Sequence, residues 1–149
     1  MTRGGADDAA SSAVVDASVV VEYLVELAHP TQARQVFRNL ADVEDYTLWA
    51  PDLVHVECAS ALRKLVALKQ ITRAQGRERV AQLVRLPLTI AKSQELMPDA
   101  FELTEAVTAY DAVYVALAQR LRAPLITADA KLARALRARK RMVVLLQDL

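Results

Sequence analysis

Four carboxylates stand where the neighbouring residues leave them chemistry to do. Asp16 follows Val14-Val15 and precedes Ala17-Ser18, and Asp129 follows Leu125-Ile126-Thr127-Ala128. In both places a short apolar run gives out into an acid beside a small hydroxyl. Glu57 lies inside the largely apolar stretch Pro51-Asp52-Leu53-Val54-His55-Val56-Glu57-Cys58-Ala59-Ser60-Ala61-Leu62, where a carboxylate needs a partner. Asp111 precedes Ala112-Val113-Tyr114-Val115-Ala116-Leu117-Ala118, a run whose one polar group is the tyrosine hydroxyl, so this helix is expected to be buried on nearly all sides.

Taken singly, three of these acids have a simpler explanation. Asp16 and Asp129 fit N-caps of the helices after their strands, and Thr108-x-x-Asp111 has capping-box spacing. Glu57 sits mid-helix and is no cap, although a buried arginine partner would also account for it. Together they point elsewhere, because two follow central-strand candidates and two lie on the most apolar helices. Converging carboxylates raise one another's pKa unless cations neutralise them. Mg²⁺ and Mn²⁺ prefer oxygen ligands, and a pair of such ions can activate water and stabilise the leaving oxygen of a phosphodiester. An all-carboxylate site therefore implies phosphate chemistry, with Ser18 and Thr127 as hydroxyls that orient a carboxylate, a water or a phosphate oxygen.

Such a site needs a frame that carries strand ends and helix starts to one place. Four apolar runs read as buried strands, at 13–16, 46–49, 125–127 and 142–146, with a weaker fifth at 87–90. Helical periodicity covers 18–27, 31–40, 52–69, 72–85, 100–104, 108–121 and 129–139, and Pro51 suits the first turn of the third helix. Alternating helices and continuously apolar strands predict a three-layer α/β/α fold with a central, mostly parallel sheet. In such sheets function gathers at the carboxyl ends of the strands, where the strand order switches.

The 149 residues suit one domain, expected over 13–149 after a mobile polar tail at 1–12. Hydrophobic residues make up 54% and charged residues 25%, which excludes the composition of disorder. Charged residues interrupt every apolar run well short of the roughly 20 residues that a membrane span needs, and the first residues do not read as a secretory signal. The cytoplasm is the default location. A single cysteine, Cys58, excludes an internal disulfide and any multi-cysteine metal site. Cys58 and His55 share a helix face, but a buried core cysteine is the better reading.

The net charge of +1 conceals an asymmetry: residues 1–60 hold ten acids against three basic residues, while 120–141 hold eight basic residues against Asp129 alone. A polyanion partner tracked by Arg134, Arg137, Arg139 and Lys140 and a simple solvated helix face both fit this pattern. Tyr110 and Tyr114 flank an acid and are able to stack on a base, but core packing is the better reading for both. Trp49 reads as a strand-end or interface anchor.

In order and spacing over residues 13–146, the chain resembles the PIN-domain ribonucleases, and among them the VapC toxins of toxin–antitoxin pairs. The matching stretches are Val14-Val15-Asp16-Ala17-Ser18, then Pro51-Asp52-Leu53 leading to Glu57 and Ala61-Leu62, then Tyr110 to Ala118, and Leu125-Ile126-Thr127-Ala128-Asp129. The resemblance implies that Asp16, Glu57, Asp111 and Asp129 bind Mg²⁺ or Mn²⁺, with Thr127 as the small hydroxyl near the last acid. It implies RNA hydrolysis to 3′-hydroxyl and 5′-phosphate ends, a homodimer, and silencing by a VapB-like antitoxin. A haloacid-dehalogenase phosphatase would need a second Asp where Ser18 stands. A response-regulator receiver would need an acid pair and a late lysine that are missing here. A PIN fold that binds RNA or a partner without cleaving is separated by a test for metal-dependent cleavage.

Overall fold

The computed structural model describes residues 11–138 and 142–149. The five strands β1 (Ser12–Val15), β2 (Thr47–Pro51), β3 (Thr89–Ala91), β4 (Leu125–Thr127) and β5 (Val143–Leu145) form one sheet in the order β3-β2-β1-β4-β5. All neighbours are parallel. β1 and β4 are almost wholly buried along their lengths, as the sequence Ser-Ala-Val-Val and Leu-Ile-Thr demand of strands covered on both faces. The chain leaves β1 towards β2 on one side and reaches β4 on the other only after β3. The switch in strand order therefore falls between β1 and β4, and Asp16 and Asp129 follow those two strands.

The helices are α1 (Ala17–Val25), α2 (Pro30–Asp42), α3 (Val54–Ala67), α4 (Arg73–Leu83), α5 (Ser93–Phe101), α6 (Ala109–Leu121) and α7 (Ala130–Ala138). α1 packs on α2, α3 and α4, whereas α5 packs on α6, α6 on β1 and β2, and α7 on β4 and β5. Right-handed crossovers in opposite directions along the sheet put these two groups on opposite faces, giving the three expected layers. α6 is the central helix: all residues from Ala112 to Ala118 are buried. α4 opens with a capping box in which the Thr72 hydroxyl accepts from the Gln75 amide and the Gln75 side chain accepts from the Thr72 amide. Gly76 of α4 lets α3 come close, since a Cβ there would stand 3.2 Å from Val66.

Some boundaries differ from the sequence reading. β1 begins at Ser12, inside the stretch expected as tail, and the Ser11 carbonyl accepts from the Thr47 amide at 2.9 Å; residues 1–10 lie outside the described residues. Pro51 ends β2 and does not open α3, which starts at Val54. The Thr47 amide faces β1 and the Asp52 amide faces β3, so the donor Pro51 lacks belongs to the β1 side, where the ladder has ended at Trp49. The fifth strand is Thr89–Ala91, shifted towards the carboxyl end. The helix expected at 100–104 is instead α5, which carries Pro98 in its interior. Its cap is tertiary: the Asp52 carboxylate accepts from the Ser93 amide at 3.3 Å and from the Ser93 hydroxyl.

Candidate active site

Asp16 is built to be held still. It is the N-cap of α1, with Oδ1 accepting from the Val19 amide at 3.3 Å. The Ser18 hydroxyl donates to Oδ1 and the Thr127 hydroxyl to Oδ2, each at 2.5 Å. The same hydroxyls tie β4 to the site, since Ser18 Oγ accepts from the Ala128 amide at 2.9 Å and Thr127 Oγ1 from the Asp129 amide at 3.0 Å. Ser18 and Thr127 thus orient the carboxylate and join the ends of the two central strands. Burial pushes the Asp16 carboxyl up to about 6, against the pull of the Ser18, Thr127 and Val19 hydrogen bonds and with a further push from the Asp111 charge.

The other acids face the same space from three elements. Glu57, half-buried on α3, accepts from the Tyr114 hydroxyl of α6 at 2.8 Å, which identifies the partner its apolar surroundings required. Burial raises its carboxyl, the tyrosine bond opposes this, and the charges of Asp111 and Asp16 add to the rise. Asp111 sits in the first turn of α6, its amide donating to the Thr108 hydroxyl at 3.2 Å; burial raises its carboxyl, hydrogen bonding of that carboxyl with the Thr108 side chain opposes this, and the Asp129 charge adds to the rise. Asp129 is exposed, and its Oδ1 accepts from the Lys131 and Leu132 amides at 2.9 and 3.2 Å. The capping geometry foreseen for Asp16 and Asp129 is therefore present, while Asp111 is capped rather than capping. Mutual charge repulsion links all four acids, so the fold gathers them into one field.

Among the described residues, no three acidic, histidine or cysteine side chains stand close enough to grip one ion. Mg²⁺ keeps several waters and is held through one or two carboxylates plus substrate phosphate oxygens. The donor set is all oxygen and made of four carboxylates, so it fits such a cation.

A pH dependence follows for the metal-free chain. Native Asp16 binds its proton more tightly than the unfolded carboxyl at 3.8, so its ionisation costs stability as pH rises from about 4 to about 6. At ~1.4 kcal/mol per pH unit the cost is on the order of 2–3 kcal/mol above that window and vanishes below it. In chelator, Asp16→Asn should gain in melting temperature over the wild type as pH rises through this range. An advantage that stays constant between pH 4 and 6 would contradict the assignment.

The remaining sequence candidates divide. Cys58 is fully buried, its thiol 3.8 Å from the Ala17 carbonyl, and burial beside Glu57 and Asp16 pushes it up to about 12, so it is no nucleophile. Tyr114 is core, but Tyr110 is 67% exposed, against the packing expected for it. Trp49 is half-buried, its indole donating to the Thr47 hydroxyl at 3.0 Å. Arg134 and Arg137 are exposed on α7, and Arg137 pairs with Asp148 at 3.4 Å. Arg139 and Lys140 lie outside the described residues. The sequence reading missed Glu22, a buried carboxylate of α1 that accepts from the Ala28 and His29 amides at the turn into α2. Its role is structural, and its one visible signal was a lone acid in an apolar helix.

Comparison with known proteins agrees with this frame. The PIN domain family model matches residues 13–137. Ribonuclease VapC1 of Mycobacterium tuberculosis is 38% identical over 126 residues, covering 82% of this chain and 89% of that protein. Ribonuclease VapC9 of the same organism is 37% identical over 119 residues, covering 80% and 87%. Among solved structures, PAE2754 from Pyrobaculum aerophilum superposes with a TM-score of 0.64 at 20% identity over 97% of this chain and 94% of its own. VapBC2 from Rickettsia felis, solved with a DNA fragment from its promoter, gives 0.58 at 15% identity over 89% and 97%. At these identities the two structures speak for the fold. With most of its length matched by the family model and by relatives above 30% identity, the chain belongs to the PIN-domain family, alongside the VapC ribonucleases.

Proposed function

We propose that the chain is a Mg²⁺- or Mn²⁺-dependent endoribonuclease that acts in the cytoplasm as the toxin of a toxin–antitoxin pair. What carries the reading is one observation: four carboxylates from four elements share a field at the switch point of a parallel sheet, and hydrogen bonds from Ser18 and Thr127 clamp the most buried of them. Asp16, Asp111 and Asp129 would share the cation, one or two of them directly and the rest through its waters, with Glu57 contributing directly or through water. A divalent cation in this position supplies water activation and neutralises charge building on the phosphate. The chain's own groups do the rest. Ser18 and Thr127 fix the Asp16 carboxylate, and Tyr114 fixes Glu57. A VapB-like antitoxin and a homodimer complete the proposal, by analogy with the family.

End analysis of RNA cut by the purified chain tests the reaction. A water nucleophile gives 3′-hydroxyl and 5′-phosphate ends, whereas 2′,3′-cyclic phosphate ends would indicate attack by the ribose hydroxyl and contradict the reading. The basic face is tested separately. Arg134 and Arg137 stand on α7 about 7 and 12 Å along the helix from Asp129. If both neutralise phosphates, replacing the pair by Ala should flatten the salt dependence of RNA binding by roughly 1.4, at about 0.7 per contact for single strands. An unchanged slope would make them a solvated face.

A further inference from the structure

We infer that Tyr110 is a positioning residue on which one base of single-stranded RNA, next to the scissile phosphate, stacks; the inference rests on the ribonuclease reading above. Tyr110 is the second residue of α6, just after Ala109 and directly before Asp111. The residue is 67% exposed, and among the described residues no hydrogen bond or ring contact engages its side chain. The residue one turn along, Tyr114, is buried and reaches Glu57 with its hydroxyl. Residues four apart on a helix differ by only about 40° in direction, so Tyr110 lies on nearly the same stripe that faces the acid cluster. Helical side chains lean towards the amino end, which sets the Tyr110 ring at the rim of the cluster while Tyr114 lies within it.

The chemistry of the rim favours a base over a phosphate at this point. Four carboxylates repel a polyanion, so the substrate needs contacts beside them that do not depend on charge. An aromatic face meets that need, because every base presents a π-face and stacking tolerates sequence.

The test uses the full chain and a single-stranded RNA oligonucleotide spanning a mapped cleavage site, with binding measured in chelator and cleavage in Mg²⁺ or Mn²⁺. Tyr110→Ala and Tyr110→Leu should each weaken binding about tenfold and raise KM more than they lower kcat, whereas Tyr110→Phe should bind as the wild type does. An abasic nucleotide at the flanking position should cost the wild type a similar factor and cost Tyr110→Ala nothing further. That non-additivity is the readout a merely structural role would not produce. Tyr110→Ala that binds and cleaves like the wild type overturns the inference and leaves the ribonuclease reading intact. So does an abasic penalty equal in both proteins, or a Tyr110→Ala defect confined to a complex with a protein partner. A wild-type chain that does not cleave RNA with either cation overturns both.

Discussion

Asp111→Asn is expected to lower RNA cleavage at least a hundredfold, as an order of magnitude, while leaving the melting temperature of the metal-free protein unchanged or higher. Even partners one shell removed from a metal typically cost 10–100-fold when changed, and Asp111 is proposed to hold the cation directly or through one of its waters. The amide keeps the shape of the side chain and one oxygen but loses the charge. It also relieves the repulsion that Asp111 exerts on Asp16 and Glu57, which is why stability should not fall. Asp129→Asn is the sharper discriminator. Its Oδ1 caps the Lys131 and Leu132 amides, and Asn caps about as well as Asp, so a residue that only capped would keep full activity. Asp129→Ala, by contrast, should cost about 1 kcal/mol of stability in addition to activity. Near-wild-type cleavage by the Asp16, Asp111 and Asp129 amide variants would leave Asp16 and Asp129 as caps and Asp111 as a first-turn acid, and would remove the site.

The second large effect is on stability. The metal-free fold holds ionised carboxylates in one field at a cost, so a divalent cation that binds the native chain and not the unfolded one should raise its melting temperature. At a hundred times the dissociation constant the gain is about 2.7 kcal/mol, which for a chain of this size is roughly 5–10 °C. Differential scanning fluorimetry with and without Mg²⁺ or Mn²⁺ reads it. The shift should shrink strongly in Asp16→Asn and Asp111→Asn and persist in Cys58→Ser, provided that variant folds. A shift equal in the wild type and both amide variants would place the cation elsewhere.

The four candidate acids were legible as a set and not singly, since three of them also fit local capping rules. Two followed strands too apolar to end by chance in the same acid-and-hydroxyl pattern, and two sat on helices with almost no polar face. The parallel sheet was legible from β1 and β4, whose residues had to be apolar on both faces. The relations across the sequence were hidden. Glu57's partner, Tyr114, stands 57 residues away and looked like a core aromatic. The start of α5 was invisible because Lys92 provides no cap and Asp52, 41 residues before Ser93, does, while Pro98 argued against a helix altogether. Pro51 misled for a related reason, since its missing amide hydrogen suits a helix start and the unpaired end of β2 equally well. For Tyr110 core packing was the better of two readings, but the first turn of α6 carries it out to solvent while the residues from Ala112 to Ala118 are enclosed.

The central claim is that these acids together hold the divalent cation on which RNA cleavage depends. Its most direct test is a cleavage time course with one protein preparation, first stripped by EDTA and checked by elemental analysis, then supplied with Mg²⁺ or Mn²⁺. The account predicts no cleavage in chelator and full recovery on adding either cation, with no recovery in Asp111→Asn. Cleavage that continues in protein shown to be metal-free would contradict it.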